Sequence, residues 1–374
     1  MMKIFTLFFI FLSSLFLQAA ELYQFGLPTR CLAMGGTCMS HVHGAQALFL
    51  NPAALARVEG FDFIIAQVQA GVSKDAQTVA EQMTGSQSQS SFSLSDIQSL
   101  YGKNVEADVT ARSGFVMPYF GVGAYSYNYL LESFGNPTYP TFNINYLSDY
   151  GYIIGGAVPM GPMTSFGVAV RGAKRWGGQE DVNVLSLVGA NNKNLIDQTF
   201  PNHGTGTALD LSFLTTLQTD LKPTFSLVWQ DVGTTRYQMY SGQQDPPRQA
   251  DNLIFGTSIE HDFLLGHWTH AFEYKFMRTT GEDITKKLHL GTEVSYGLID
   301  LQAGLNQGYL TYGAGIDLWF LEIQAAVYAT ELGTYGGQTR SDRYQVSLTF
   351  SLDFDQSFKL TDLDGHKRKL KYRR

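Results

Sequence analysis

Residues 343–354, RYQVSLTFSLDF, decide the fold. Tyr344, Val346, Leu348, Phe350, Leu352 and Phe354 alternate with Arg343, Gln345, Ser347, Thr349, Ser351 and Asp353. One face of the strand is wholly apolar and the other wholly polar, over a length that crosses a bilayer when tilted. A strand in a soluble sheet needs an apolar face only where it meets a core. A strand in a transmembrane barrel needs one all along its lipid side, with polar groups toward the lumen.

The same period of two recurs upstream. Phe166, Val168 and Val170 alternate with Ser165, Gly167, Ala169 and Arg171, and Leu209, Leu211 and Phe213 alternate with Asp210 and Ser212. Further on, Leu310, Tyr312, Ala314, Ile316 and Leu318 alternate with Thr311, Gly313, Gly315 and Asp317, as do Leu321, Ile323, Ala325 and Val327 with Glu322, Gln324 and Ala326. Turn signals divide the chain into fourteen strands near 58–72, 107–117, 121–131, 140–157, 163–176, 205–218, 223–232, 251–261, 267–278, 286–296, 299–306, 309–318, 320–330 and 342–354. Their connections are largely long and short in turn, as external loops and periplasmic turns are in outer-membrane barrels. An even strand count brings both ends of the chain to one side. The expected fold is all-β, a 14-stranded antiparallel transmembrane β-barrel closed inside by an N-terminal plug. The strand ending in Tyr344, Phe350, Leu352 and Phe354 also resembles the C-terminal signal read by the barrel-assembly machinery.

Composition agrees. Charged residues are 16% of the 374, aromatics 13%, with 38 glycines and 11 prolines. The mean hydropathy of −0.08 fits no bundle of membrane helices. Residues 1–20, MMKIFTLFFIFLSSLFLQAA, place one Lys before an apolar run ending in Ala19-Ala20, the layout of a secretory signal peptide. The mature chain is expected to begin near Glu21, with residues 21–57 as the plug, 58–354 as the barrel and 355–374 as a basic periplasmic tail. Net charge is −7, yet residues 366–374 hold six Lys/Arg, so charge is segregated. The functional reading of the tail is an electrostatic tether to an acidic periplasmic protein; the plain one is a solvated terminus. In residues 93–102, SLSDIQSLYG reads as a short capped helix behind a polar stretch at 85–90.

Residues 26–55, GLPTRCLAMGGTCMSHVHGAQALFLNPAAL, carry a second signal. Met34-Gly35-Gly36 follows Arg30, and Asn51-Pro52-Ala53 closes a small apolar run. Paired glycines let backbone approach a wall where a Cβ would clash, and Pro52 fixes φ while leaving no N–H to satisfy. The segment resembles the plug, or hatch, of the FadL and PorV superfamily of outer-membrane β-barrels. That resemblance implies residence in the bacterial outer membrane and passive uptake of hydrophobic small molecules, released sideways through a gap in the barrel wall. It implies that Gly35 and Gly36 shape the plug, that Asn51, Pro52 and Ala53 seat it, and that Arg30 pairs with an acid of the lumen. A PorV-like role in protein secretion or surface attachment is the alternative, and a structural barrel with an immobile plug a third. Two departures stand out: His43-Gly44 replaces the small acidic pair typical after the glycines, and the chain continues twenty residues beyond Phe354.

Cys31 and Cys38 are the only cysteines, either a disulfide closing a small loop or two buried small side chains. No catalytic or P-loop motif occurs, so neither an enzyme, a cofactor, a metal nor a nucleic acid is expected. His41 and His43 read as solvated plug side chains, and His261, His267 and His270 with Asp262 and Trp268 as a turn cluster. Arg171, Asp210, Glu260, Glu273, Lys275, Glu293, Asp317, Glu322, Arg343 and Asp353 are expected to face the lumen.

Overall fold

The computed structural model describes residues 21–22, 24, 26–85, 101–134, 141–183, 199–219, 221–263, 266–318 and 320–354. The segment 1–20 expected to be a signal peptide, the basic tail and most of the expected helix at 93–102 lie outside them.

Fourteen strands close into an antiparallel barrel. They are β1 Phe61–Ser73, β2 Asn104–Met117, β3 Phe120–Phe134, β4 Thr141–Pro159, β5 Thr164–Asn183, β6 His203–Thr216 and β7 Thr224–Gln230. After a short β8, Gln238–Ser241, come β9 Asn252–Phe263, β10 Gly266–Tyr274, β11 Leu288–Tyr296, β12 Ile299–Asn306, β13 Tyr309–Leu318, β14 Leu321–Glu331 and β15 Arg340–Phe354. Each strand pairs with its neighbour in sequence, except that β7 passes over β8 to pair with β9. Closure comes from β1 against β15, with Phe61 opposite Phe354 and Ser73 opposite Arg343. The pairing of Phe61 with Phe354 defines a near end, where both termini of the barrel lie; β1, β3 and β5 run to the far end.

The fourteen expected strands correspond one for one with the barrel strands. β8 was not anticipated. It is a four-residue, exposed continuation of β7 along β6, separated from β7 by a break in which Asp231, Gly233 and Thr234 adopt positive φ. Four residues beside Pro246 and Pro247 give periodicity nothing to detect. The alternation of long and short connections fails once, at the far end, where Gln307-Gly308 joins β12 to β13 as tightly as a near-end turn.

Burial is inverted relative to a soluble protein. On β15 the polar residues Gln345, Ser347 and Thr349 are 2–3% exposed, while Val346, Leu348 and Phe350 are 51%, 43% and 41% exposed. The same outward belt includes Val68, Val170, Leu227, Leu290, Leu301, Leu310 and Ile316. A wall that hides its polar face and displays its apolar one suits hydrocarbon, and closure gives each of the fourteen barrel strands a neighbour on both sides. No described helix is long and apolar enough to cross a membrane, which says nothing of the strands.

No wall gap of the kind implied by the family resemblance is present at β3. β3 pairs without interruption with β2 from Phe120 to Ser133, and with β4 from Phe120 to Phe134. The one irregularity shared by two ladders is in β1 at Ile64–Gln67, where one extra residue bends the strand while the pairing resumes on either side.

Candidate functional site

Residues 26–57 fill the barrel interior. A one-turn helix at Thr29–Ala33 leads into Met34-Gly35-Gly36, and short helical turns at Gly44–Gln46, Ala47–Leu50 and Pro52–Arg57 bring the chain to β1. None of these turns is long enough to be stable alone. Their order comes from what they touch on opposite walls.

The first contact is a glycine seat. Gly35 and Gly36 have φ of +67° and +88° and reverse the chain after the helix, with Gly36 N–H donating to Cys31 O at 2.7 Å. A Cβ on Gly35 would lie 2.1 Å from Leu290 O and 2.6 Å from Leu305 O, so segment and wall meet backbone to backbone. The wall answers with glycines of its own. A Cβ on Gly291 would fall 2.3 Å from Met34 O, and one on Gly304 2.5 Å from Gly35 N. Thr311 on β13 links the two, its hydroxyl donating to Ala33 O at 2.8 Å and accepting from Gly35 N–H at 2.9 Å. Met34 is completely buried beside them.

Charged groups from the β10–β12 wall surround this seat. Arg30 forms a bidentate pair with Glu293, at 2.6 Å through Nε and 2.5 Å through Nη2, and Gln302 donates to the same carboxylate at 3.1 Å. Burial works against the Arg30 charge, but Glu293 more than compensates and holds the guanidinium well above its ordinary pKa. Glu273 accepts from the Cys38 and Met39 N–H groups at 2.6 and 2.5 Å. Lys275 donates to Gly36 O at 2.6 Å, and His289 Nδ1 lies 2.9 Å from Gly35 O. Cys31 and Cys38 are joined in a disulfide that closes the loop bearing the glycines.

The second seat is on the opposite wall. Asn51 is fully buried; its side chain accepts from Ala53 N–H at 3.1 Å and donates to Met39 O at 2.7 Å, tying the two halves of the segment together. Ala53 N–H also reaches Ser212 Oγ at 2.8 Å, and Ser165 Oγ donates to Ala53 O at 2.8 Å. Between those two serines lies Gly167, where a Cβ would come within 2.1 Å of Ala53 N. Pro52, with no N–H to offer, occupies the first position of the turn.

A third side of the lumen is different in kind. Tyr125, Tyr127 and Tyr129 project inward from β3, the first two stacked with centroids 4.6 Å apart. Leu27, Leu48 and Phe49 of the segment belong to the same buried apolar cluster. Arg112 lies between the Phe49 and Tyr127 rings, 5.4 Å from each centroid, and is almost wholly buried with no hydrogen-bond acceptor on its guanidinium. The lumen therefore has a polar wall that grips the segment and an aromatic wall against which residues 26–57 pack.

Two expectations about histidines are corrected. His41 is buried, not solvated, and neither ring nitrogen has a hydrogen-bond partner. Burial first, and Arg30 second, depress its pKa to about 3. The turn histidines do not form one cluster. His267 faces the lumen and pairs with Asp262 at 2.8 Å, whereas His261 and His270 face outward against Trp268, because strand alternation separates neighbours onto opposite faces. Among the described residues no group of three His, Cys, Asp or Glu is placed to hold a metal ion. Of the expected lumen set, Arg171 pairs with Asp210 and Asp231, and Arg343 with Glu21 and Glu106. Ser165, Gly167, Ser212 and Thr311 were read from sequence only as the polar faces of their strands, and Gly291 and Gly304 not at all; the signal for their contact is a glycine or small hydroxyl residue at a lumen-facing position of the period-two pattern.

No protein-family model and no curated protein sequence matches the chain. Solved structures do. The CymD monoaromatic hydrocarbon channel superposes with a TM-score of 0.51 at 10% identity, over 88% of this chain and 98% of that one. The P. putida toluene transporter TodX gives a TM-score of 0.49 at 12% identity, over 88% and 99%. A Pseudomonas aeruginosa FadL homologue gives 0.48 at 12%, over 90% and 100%. At such identities the likeness is one of fold alone: this chain shares the barrel fold of the CymD channel.

Proposed function

We propose that the protein is an outer-membrane channel for passive entry of hydrophobic small molecules, with residues 21–57 as its movable closure. The observation that carries this reading is the two-sided lumen. On the β10–β13 and β5–β6 walls the segment is held by hydrogen bonds, an ion pair and backbone-close glycine contacts. Toward β3 residues 26–57 pack through rings and aliphatic side chains, around Tyr125, Tyr127, Leu27 and Phe49, while a polar tie to this strand runs from Tyr129 to Glu21. Apolar contacts are non-directional, so a small shift of the Leu27 and Phe49 side chains away from β3 opens an aromatic-lined slot while the hydrogen bond from Gln69 to Leu27 O holds the backbone. A hydrophobic solute gains there what Phe49 loses. Polar solutes gain nothing from such a slot, which is the basis of selectivity. The shared fold with a protein described as a monoaromatic hydrocarbon channel supports the same reading.

The test is uptake of an aromatic hydrocarbon by cells carrying the protein in the outer membrane, after fractionation and an unboiled gel have located it there. Phe49→Ala widens the slot and should raise uptake, whereas Phe49→Trp should lower it, both with barrel assembly intact. Uptake that ignores both changes, or recovery of the chain in the soluble periplasm, removes the proposal.

A further inference from the structure

On the outward face of β4, β5 and β6 the apolar belt ends in positive charge. Along β5 the outward positions run from Phe166 and Val170, both apolar and exposed, to Lys174. Lys174 is about ten residues from the start of β5 at Thr164, roughly 25 Å along the barrel axis at about 3.3 Å per residue and about 40° of tilt. An outer-membrane barrel has an apolar band about 25 Å tall, so this ammonium sits where hydrocarbon gives way to head groups. It lies opposite Tyr150 on β4 and Thr205 on β6, with Nζ 5.9 Å from the Tyr150 ring centre. Tyr150 is hydrogen-bonded in turn to Tyr240 of β8. A second cation arrives from the other side of Thr205. Arg236 is exposed between the buried Thr235 and Tyr237, just before Gln238, the partner of Thr205 on β8. Lys174 and Arg236 thus flank the exposed hydroxyl residues Thr205 and Thr207. Among the described residues neither has an acidic partner, whereas the exposed Arg278 and Arg340 are paired with Asp251 and Asp342 at 2.9 and 2.6 Å.

Farther out along β5, Glu180 borders a cleft of about 390 Å³ completed by Thr199, Pro201, Asn202, Gln243 and Gln244. Asn202 shapes it, its Oδ1 accepting from the Gln243 and Gln244 N–H groups at 2.9 and 3.1 Å. Hydroxyl and amide groups dominate this lining, which suits sugar hydroxyls rather than acyl chains. Three layers therefore follow one another along β5: apolar side chains, two unpaired cations with hydroxyls, and an amide-rich cleft. We propose that this face is a binding site for a phosphorylated glycolipid of the outer leaflet. Lys174 and Arg236 take a phosphate, with Thr205 and Thr207 as further donors. The acyl chains lie along Ile154, Val170 and Leu209, all exposed on the same face, and the sugar extends toward the cleft. Phosphate oxygens accept from ammonium, guanidinium and hydroxyl alike, and the charges are complementary. The inference rests on the outer-membrane location and is independent of what the barrel admits.

The experiment uses the full chain, purified from membranes in mild detergent and shown by its heat-dependent gel shift to be assembled. A chain missing from the membrane fraction overturns the location and the lipid site together; the outcomes below overturn the site alone. Native mass spectrometry reads binding of four probes: lipid A with two phosphates, the same lipid with both phosphates removed, phosphatidylglycerol, and inorganic phosphate. The unmodified protein should bind the bis-phosphorylated lipid at least about tenfold more tightly than the dephosphorylated one; equal binding overturns the proposal without recourse to any variant. Lys174→Gln and Arg236→Gln should each weaken binding about fivefold, and together about twenty-five-fold. Arg340→Gln, which removes a cation already paired with Asp342, should leave it unchanged. An equal loss in Arg340→Gln would mean diffuse charge attraction and would overturn the site. Phosphatidylglycerol bound as tightly as lipid A removes the glycolipid assignment, and inorganic phosphate bound as tightly reduces the site to one for a free anion.

Discussion

Arg30 and Glu293 face each other as a two-pronged ion pair, at 2.6 and 2.5 Å, linking the interior segment to β11. Glu293 is 4% exposed and Arg30 17%, so little water reaches the pair. Removing one partner leaves the other charge stranded, which costs about 3–5 kcal/mol in buried pairs. The barrel ladder does not include this contact. Glu293→Ala should therefore leave the heat-dependent gel shift intact while residues 26–45 lose protection in hydrogen exchange. Unchanged protection there would mean that the glycine seat alone holds the segment.

The glycine seat makes a second prediction. Gly35→Ala combines a left-handed backbone, costing about 1–2 kcal/mol for an L-residue, with overlap against Leu290 O that adds about 1–3 kcal/mol or more. Gly291→Ala pushes into Met34 O from the wall side, without a positive φ. Each single change should expel the Met34–Gly36 turn, so the double variant should be less damaging than the sum of the two. Protease cleavage within residues 26–45 measures it; strict additivity would show that the two glycines do not share one contact.

How much of this was legible follows from what periodicity encodes. Residues 343–354 read as a barrel strand because lipid and lumen impose opposite chemistry on alternate positions, and β15 obeys that rule from Arg343 to Leu352. Gly35 and Gly36 were legible because paired glycines have few uses besides close approach. Their counterparts Gly291 and Gly304 were not, since a lone glycine in a strand is common and only the fold brings Met34 against it. The partner of Arg30 was expected as an acid of the lumen, but several acids share that face and only register selects Glu293. The reading of His41 as solvated failed for a similar reason: a short polar stretch, Ser40 to His43, gives no sign that a barrel wall encloses it.

The disulfide offers a reversible handle on the same loop. Cys31 and Cys38 are separated by seven positions, and closing so short a loop restricts the undocked segment by about 2–3 kcal/mol. Reduction should raise the fraction of undocked segment without touching the barrel strands. Hydrogen exchange with and without reductant should show faster exchange for residues 29–42 and none for β1 or β15. Accelerated exchange throughout the barrel would mean that the segment is part of the barrel's own folding unit.

His41 ties the seat to pH. Its ring is buried, lacks a hydrogen-bond partner, and has Arg30 as the largest charged influence, with Glu293, His43 and His267 acting more weakly. Its pKa in the docked segment is about 3, against an ordinary 6.5. The undocked segment therefore binds a proton that the docked one refuses, and docking weakens as acidity rises. The sign follows directly: the contribution is whole above pH 6.5, declines as pH falls through that value, and is exhausted near pH 3. Hydrogen exchange of residues 38–43 should accelerate between pH 7.5 and pH 4.5 by more than the intrinsic chemistry accounts for. In His41→Phe, which keeps a buried ring and removes the titration, the acceleration should vanish. If it persists, the carboxylates Glu273 and Glu293 carry the pH dependence of the seat and His41 does not.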